Sequence, residues 1–183
     1  MNFDMNIIMF IHQTMQHPIL DMIMPWITRL GDGGKIWIVI SLLLISMKKY
    51  RKAGMMTLCA ILLGYILGDV ILKNLIQRPR PFVAAPYLNV LIEKPSSFSF
   101  PSGHTAVAFA AASMMMKIIR NKGITIFVLL LACTMAFSRL YLQVHYPSDI
   151  LGGMILGMIS ASITYRIFNR GEGYGKKEQG IDA

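Results

Sequence analysis

The sequence predicts an all-α protein built as a polytopic membrane helix bundle, with six transmembrane helices and an amphipathic N-terminal segment. Three observations carry that expectation. Hydrophobic residues make up 55% of the 183-residue chain and its mean hydropathy is +0.54, too apolar for an ordinary soluble domain. Several apolar runs approach the ~20 residues that a helix needs to cross the ~30 Å hydrocarbon core. The basic residues behind a net charge of +9 gather between those runs, as in membrane loops, which argues against a nucleic-acid partner. One membrane domain over residues 1–170 accounts for this pattern, followed by a glycine-rich, charged tail, 171–183, expected to be disordered and cytoplasmic.

Residues 1–17 set Ile7, Ile8, Met9, Phe10 and Ile11 against His12, Gln13, Gln16 and His17. An amphipathic helix in the membrane interface is expected there, a crossing shared with the next helix being the alternative. A short inserted helix spans 19–30, and Gly31-Asp32-Gly33-Gly34 reads as a turn. The run 36–47 is apolar throughout, with Trp37 near its start placed to anchor at the headgroups. Lys48, Lys49, Arg51 and Lys52 separate it from a span over 55–72. The proline-rich segment 77–100 is a loop. Residues 103–116 form an alanine-rich helix suited to close packing, ended by Lys117, Arg120 and Lys122. Spans over 123–137 and 149–165 complete the bundle, and Arg166 and Arg170 follow. Gly64-x3-Gly68 and Gly153-x3-Gly157 read as helix contacts inside the bundle. Cys59 and Cys133 read as small buried apolar side chains rather than a disulfide, and the methionines as flexible apolar filling.

Three polar islands interrupt this apolar background: Lys73-x6-Arg80-Pro81, Pro101-Ser102-Gly103-His104 and Ser138-Arg139-x5-His145-x3-Asp149. Charged groups at the ends of membrane helices are costly unless they act. If the cluster at 48–52 is cytoplasmic, alternation puts every basic cluster without a motif on that side, together with the C-terminus. All three islands then share the extracytoplasmic side. Pro101-Ser102-Gly103 at a helix start frees backbone N–H groups for an anion, although Ser102 would also serve as a plain N-cap. Pro147 places Asp149 in the first turn of the last helix, four residues after His145. From there it can hold one ring nitrogen and leave the other as a nucleophile; a purely structural pair is the alternative. Arg139 can grip a phosphate through two N–H groups or reach for headgroups. Asp69, one turn before Lys73, can hold that ammonium. Arg78 reads as a headgroup anchor outside the motifs.

Each island is weak alone; the three in this order are specific. The chain resembles the type 2 phosphatidic acid phosphatase (PAP2) superfamily of membrane lipid phosphatases, whose three signature motifs are matched without departure over residues 73–149. The resemblance implies that His145 attacks phosphorus to form a phosphohistidine, with Asp149 orienting it, while His104 protonates the leaving oxygen. It implies that Lys73, Arg80, Ser102, Gly103 and Arg139 bind the phosphoryl group, with no metal or other cofactor, and that vanadate inhibits. The substrate it implies is a lipid phosphate or diphosphate, undecaprenyl diphosphate first, with phosphatidylglycerophosphate and phosphatidic acid as alternatives. A non-catalytic lipid transporter or scaffold would be expected to have lost motif residues. The apolar spans argue against a soluble haloperoxidase with the same anion site.

Overall fold

The computed structural model describes residues 3–178, with side-chain surroundings up to residue 170. The chain folds as α1 (Phe3–Thr14), α2 (Pro18–Gly31), a 3-10 turn (Asp32–Gly34), α3 (Lys35–Ser46), and α4 (Arg51–Tyr65). A π-helical stretch (Ile66–Leu72) runs on into α5 (Lys73–Ile76), and α6 (Pro81–Ala84), α7 (Gly103–Ile118), α8 (Lys122–Tyr141) and α9 (Pro147–Glu178) follow. No strand occurs among the described residues. Of the segment 171–183, expected as a disordered tail, the first part continues the backbone of α9 and residues 179–183 lie outside the described residues.

Local chemistry sets the helix starts. The His17 side chain accepts from the Ile19 N–H at 3.3 Å, with Pro18 opening α2, and Asn121 accepts from Ile124 N–H at 3.0 Å to open α8. Ser102 departs from the capping expectation. Its hydroxyl accepts from the Thr105 hydroxyl at 3.0 Å and caps no N–H of α7, while its own backbone N–H is tied to the Asp149 carbonyl at 3.0 Å.

Helix α7 is the axis, packed against α4, α8 and α9 and buried along most of its length. Small residues make this possible. A Cβ on Gly157 would collide with the Ala106 carbonyl and come within 2.7 Å of the Ala110 nitrogen; one on Gly153 would lie 2.7 Å from the Ser102 carbonyl oxygen. Both glycine pairs thus serve contacts inside the bundle, as their spacing suggests.

Large apolar side chains are exposed on the outside, while charged ones are buried inside. Leu62, Leu130 and Leu151 are about three-fifths exposed (58%, 62% and 58%), whereas Lys73, Arg80, Arg139, His145 and Asp149 are all buried. Water would not favour that arrangement; hydrocarbon does. Among the described residues, three stretches are long and apolar enough to cross a membrane: Lys48–Ala84, Lys122–Tyr141 and Pro147–Arg170. The other three expected spans correspond to α2, α3 and α7, with 14, 12 and 16 residues, short of ~20. Two expectations need correction. Trp37 is fully buried in the core with Val107, Ala108 and Met135, because its turn of α3 faces α7 rather than the headgroups. Cys59 and Cys133 are free thiols, as expected, but both are exposed on the apolar outer surface rather than buried.

Candidate active site

The three islands converge at one end of the bundle. Arg80, His104, Arg139 and His145 line a polar cavity of about 470 Å³, with Thr28, Arg29 and Asp32 on one side and residues 92–97 of the long loop on another. His145 sits in the short connection between α8 and α9, and Arg139 occupies the last turn of α8. Arg80 is carried in by the turn after α5, Pro81 opening α6 directly behind it.

Arg80 is fastened before any ligand arrives. Its Nε donates to the Ser97 carbonyl at 2.6 Å, Nη2 to the Ser97 hydroxyl at 3.0 Å, and Nη1 to the Val144 carbonyl at 2.8 Å. The same Nη1 lies 3.2 Å from His145 Nε2. A guanidinium only donates, so Nε2 must offer its lone pair and the ring proton resides on Nδ1. Burial pushes His145 well below the ordinary histidine range, which keeps the ring neutral. The nitrogen beside Arg80 is therefore the unprotonated one.

Behind His145, Nδ1 stands 3.5 Å from Asp149 Oδ2, and no hydrogen bond of good geometry holds it. The sequence spacing predicts a direct bond here. Oδ2 is instead occupied by the Ser99 hydroxyl at 2.5 Å and the Tyr146 N–H at 2.8 Å. Oδ1 accepts from Arg78 at 2.6 Å, so Arg78 is no headgroup anchor. Its Nη1 also reaches the Ser148 hydroxyl, its Nη2 reaches Asp4 of α1, and the guanidinium lies 4.0 Å from the centre of the Tyr146 ring. The buried carboxylate is thus neutralised from outside the cavity.

Arg139 donates to the Thr28 hydroxyl, and its Nε has no partner among the described residues. Neither Arg80 nor Arg139 has a carboxylate within ion-pair distance among those residues. Two buried guanidiniums without a direct ion-pair partner beside one cavity suit an anionic ligand. The expected Lys73–Asp69 pair is present, one turn along the π-helical stretch. It sits against the start of α7, where a Cβ on Gly103 would collide with the Asp69 carboxylate. Lys73, Ser102 and Gly103 do not line the polar cavity; Gly103, with Asp69, lines the apolar cavity that also includes His104.

The sequence marks Asp32 only as part of a turn, yet its Oδ1 accepts from His104 Nε2 at 3.0 Å. That hydrogen bond, with the positive charges around it, holds the Asp32 carboxyl below the usual carboxylate range. His104 also lines a second, apolar cavity of about 610 Å³ formed with Ile38, Leu58, Ile61, Leu62, Tyr65 and Val107. No three His, Cys, Asp or Glu side chains among the described residues are grouped to hold a metal ion.

Fold and site together define a polytopic membrane helix bundle with a polar cavity lined by Arg80, Arg139, His104 and His145. Residues 53–172 match the PAP2 superfamily, and the chain belongs to that family. It is 31% identical over 137 residues to an undecaprenyl-diphosphatase of Sulfolobus acidocaldarius, covering 74% of this chain and 65% of that protein, so it spans about two thirds of the relative's length. Among solved structures it is similar to LpxE of Aquifex aeolicus, with a TM-score of 0.79 and 26% identity over 91% of this chain and 96% of that one. It is also similar to a transmembrane PAP2-type phosphatidylglycerolphosphate phosphatase of Bacillus subtilis, with a TM-score of 0.73 and 27% identity over 91% and 85% of the two chains.

Proposed function

We propose that the protein is a membrane lipid phosphatase that removes the terminal phosphate of a long-chain lipid phosphate or diphosphate through a phosphohistidine on His145. The observation that carries this reading is the pair of buried guanidiniums, Arg80 and Arg139, that have no carboxylate partner among the described residues and line one cavity with His145, whose unprotonated Nε2 lies 3.2 Å from Arg80 Nη1. His145 Nε2 attacks phosphorus, the bond to the leaving oxygen breaks, and His104 gives that oxygen its proton. His104 then takes a proton from water, whose oxygen attacks the phosphohistidine and frees phosphate and His145. Arg80 and Arg139 stabilise the charge on the phosphoryl oxygens, and Lys73, Ser102 and Gly103 complete their surroundings from the α7 side. Asp149 orients His145.

His104 lines both a polar and an apolar cavity, which supports reading it as the proton donor to the leaving oxygen. The oxygen joining a phosphate to a lipid chain has to sit between two such surroundings. Undecaprenyl diphosphate is the leading substrate, in line with the name of the Sulfolobus relative. Phosphatidylglycerophosphate is the alternative, in line with the similarity to the Bacillus phosphatase structure. We place the site on the extracytoplasmic side and the C-terminus in the cytoplasm, because Lys48, Lys49, Arg51, Lys117, Arg120, Lys122, Arg166 and Arg170 all fall in segments that alternate with the islands.

The test is phosphate release by the purified full-length protein in detergent, offered undecaprenyl diphosphate, phosphatidylglycerophosphate and phosphatidic acid. Release from at least one is expected, and the preferred lipid identifies the substrate. Binding of these lipids without release from any would favour a transporter or scaffold instead.

A further inference from the structure

We propose that Asp32 is a positioning residue for His104, pairing with it as the proton donor to the leaving oxygen. This rests on His104 being that donor and adds a residue that none of the three motifs contains. The geometry is specific. Asp32 Oδ1 is 3.0 Å from His104 Nε2 although the two are 72 residues apart. The turn that delivers Asp32 is shaped for the ring. A Cβ on Gly31 would stand 2.9 Å from His104 Cδ2, and Gly33 and Gly34 take φ of +60° and +73°, where a side chain is strained.

The charge pattern gives a second, independent reason. Asp32 places a carboxylate in the same cavity as Arg29, Arg80 and Arg139. Against a phosphate ligand that charge is repulsive, so it weakens the very binding that the arginines promote. Its contact with the His104 ring offsets this. Burial and the Arg139 charge work against the imidazolium of His104, and the Asp32 carboxylate on one ring nitrogen is the group that favours it and fixes the ring's orientation. The imidazolium is the form that can donate a proton as the phosphorus–oxygen bond breaks. Asp32 keeps its charge and its hydrogen bond from Nε2–H throughout; the proton moves only from His104 Nδ1 to the leaving oxygen and returns to Nδ1 from water. The site thereby contains two His–Asp pairs, His145 with Asp149 for the attack and His104 with Asp32 for the departure.

General-acid assistance matters most for a poor leaving group, which separates this role from a merely structural one. The experiment compares dodecyl phosphate with 4-dodecylphenyl phosphate, an alkyl and an aryl ester of similar chain, for wild type, Asp32→Asn, Asp32→Ser, Asp32→Glu and His104→Ala in detergent. Asp32→Asn and Asp32→Ser are expected to lower the ratio of alkyl to aryl kcat at least about tenfold, toward the ~10²–10⁴-fold range of general-acid catalysis, and Asp32→Glu to restore part of it. If one short variant fails to fold, the other decides. A ratio unchanged in the Asp32 variants but lowered in His104→Ala would overturn the assignment of Asp32 alone. A ratio unchanged in His104→Ala, or no cleavage of either ester by wild type, would overturn the reading of His104 and this inference with it.

Discussion

At Asp149 the carboxylate is divided between two sets of donors, Oδ1 facing Arg78 and Oδ2 facing the Ser99 hydroxyl and the Tyr146 N–H. Asp149 is fully buried, and Arg78 is the cation that neutralises it. Replacing Arg78 by Met would keep the stem and leave the carboxylate uncompensated. Breaking a buried pair from one side destabilises by on the order of 3 kcal/mol. Thermal unfolding of Arg78→Met in detergent is expected to show that loss, and a melting temperature equal to wild type would contradict the role assigned to Arg78. The sequence could not reveal this residue, since Arg78 lies between motif positions and its partners, Asp4 and Asp149, are 74 and 71 residues away. Asp32 was hidden for the same reason. The motif histidines and arginines were legible because their order along the chain is itself the signal, whereas a lone charged residue gains meaning only from its partner in space.

Helix α7 shows where element-level reading succeeds and where it stops. Its alanines and the glycine pairs of α4 and α9 spoke for close packing, and the backbones do approach within the space of a single Cβ. Gly157→Val would drive a branched side chain into the backbone of α7 at Ala106, Phe109 and Ala110, atoms that cannot swing aside. A loss of about 2 kcal/mol or more is expected, read as a lowered melting temperature of the detergent-solubilised protein. The π-helical stretch at Ile66–Leu72 was not legible, because a wider turn leaves no mark on the apolar pattern; it nonetheless carries Asp69 to the start of α7. Trp37 misled for a related reason. Composition places a tryptophan near a membrane end, but only packing tells whether its face turns inward, and here it lies against α7.

Across the whole molecule, apolar side chains cover much of the outer surface, while the buried arginines and His145 meet at one polar cavity. An apolar cavity that also includes His104 lies beside it, and in the proposed reading it takes the lipid chain. The proposed chemistry depends throughout on His145 making a bond to phosphorus. The most direct measurement is to mix the purified protein with a lipid substrate carrying ³²P in its terminal phosphate, quench during turnover and look for label on the polypeptide. Wild type is expected to carry label that survives alkali and is released by acid, the behaviour of a phosphorus–nitrogen bond, and His145→Ala none. Turnover without any protein-bound label, or equal labelling of His145→Ala, would contradict it.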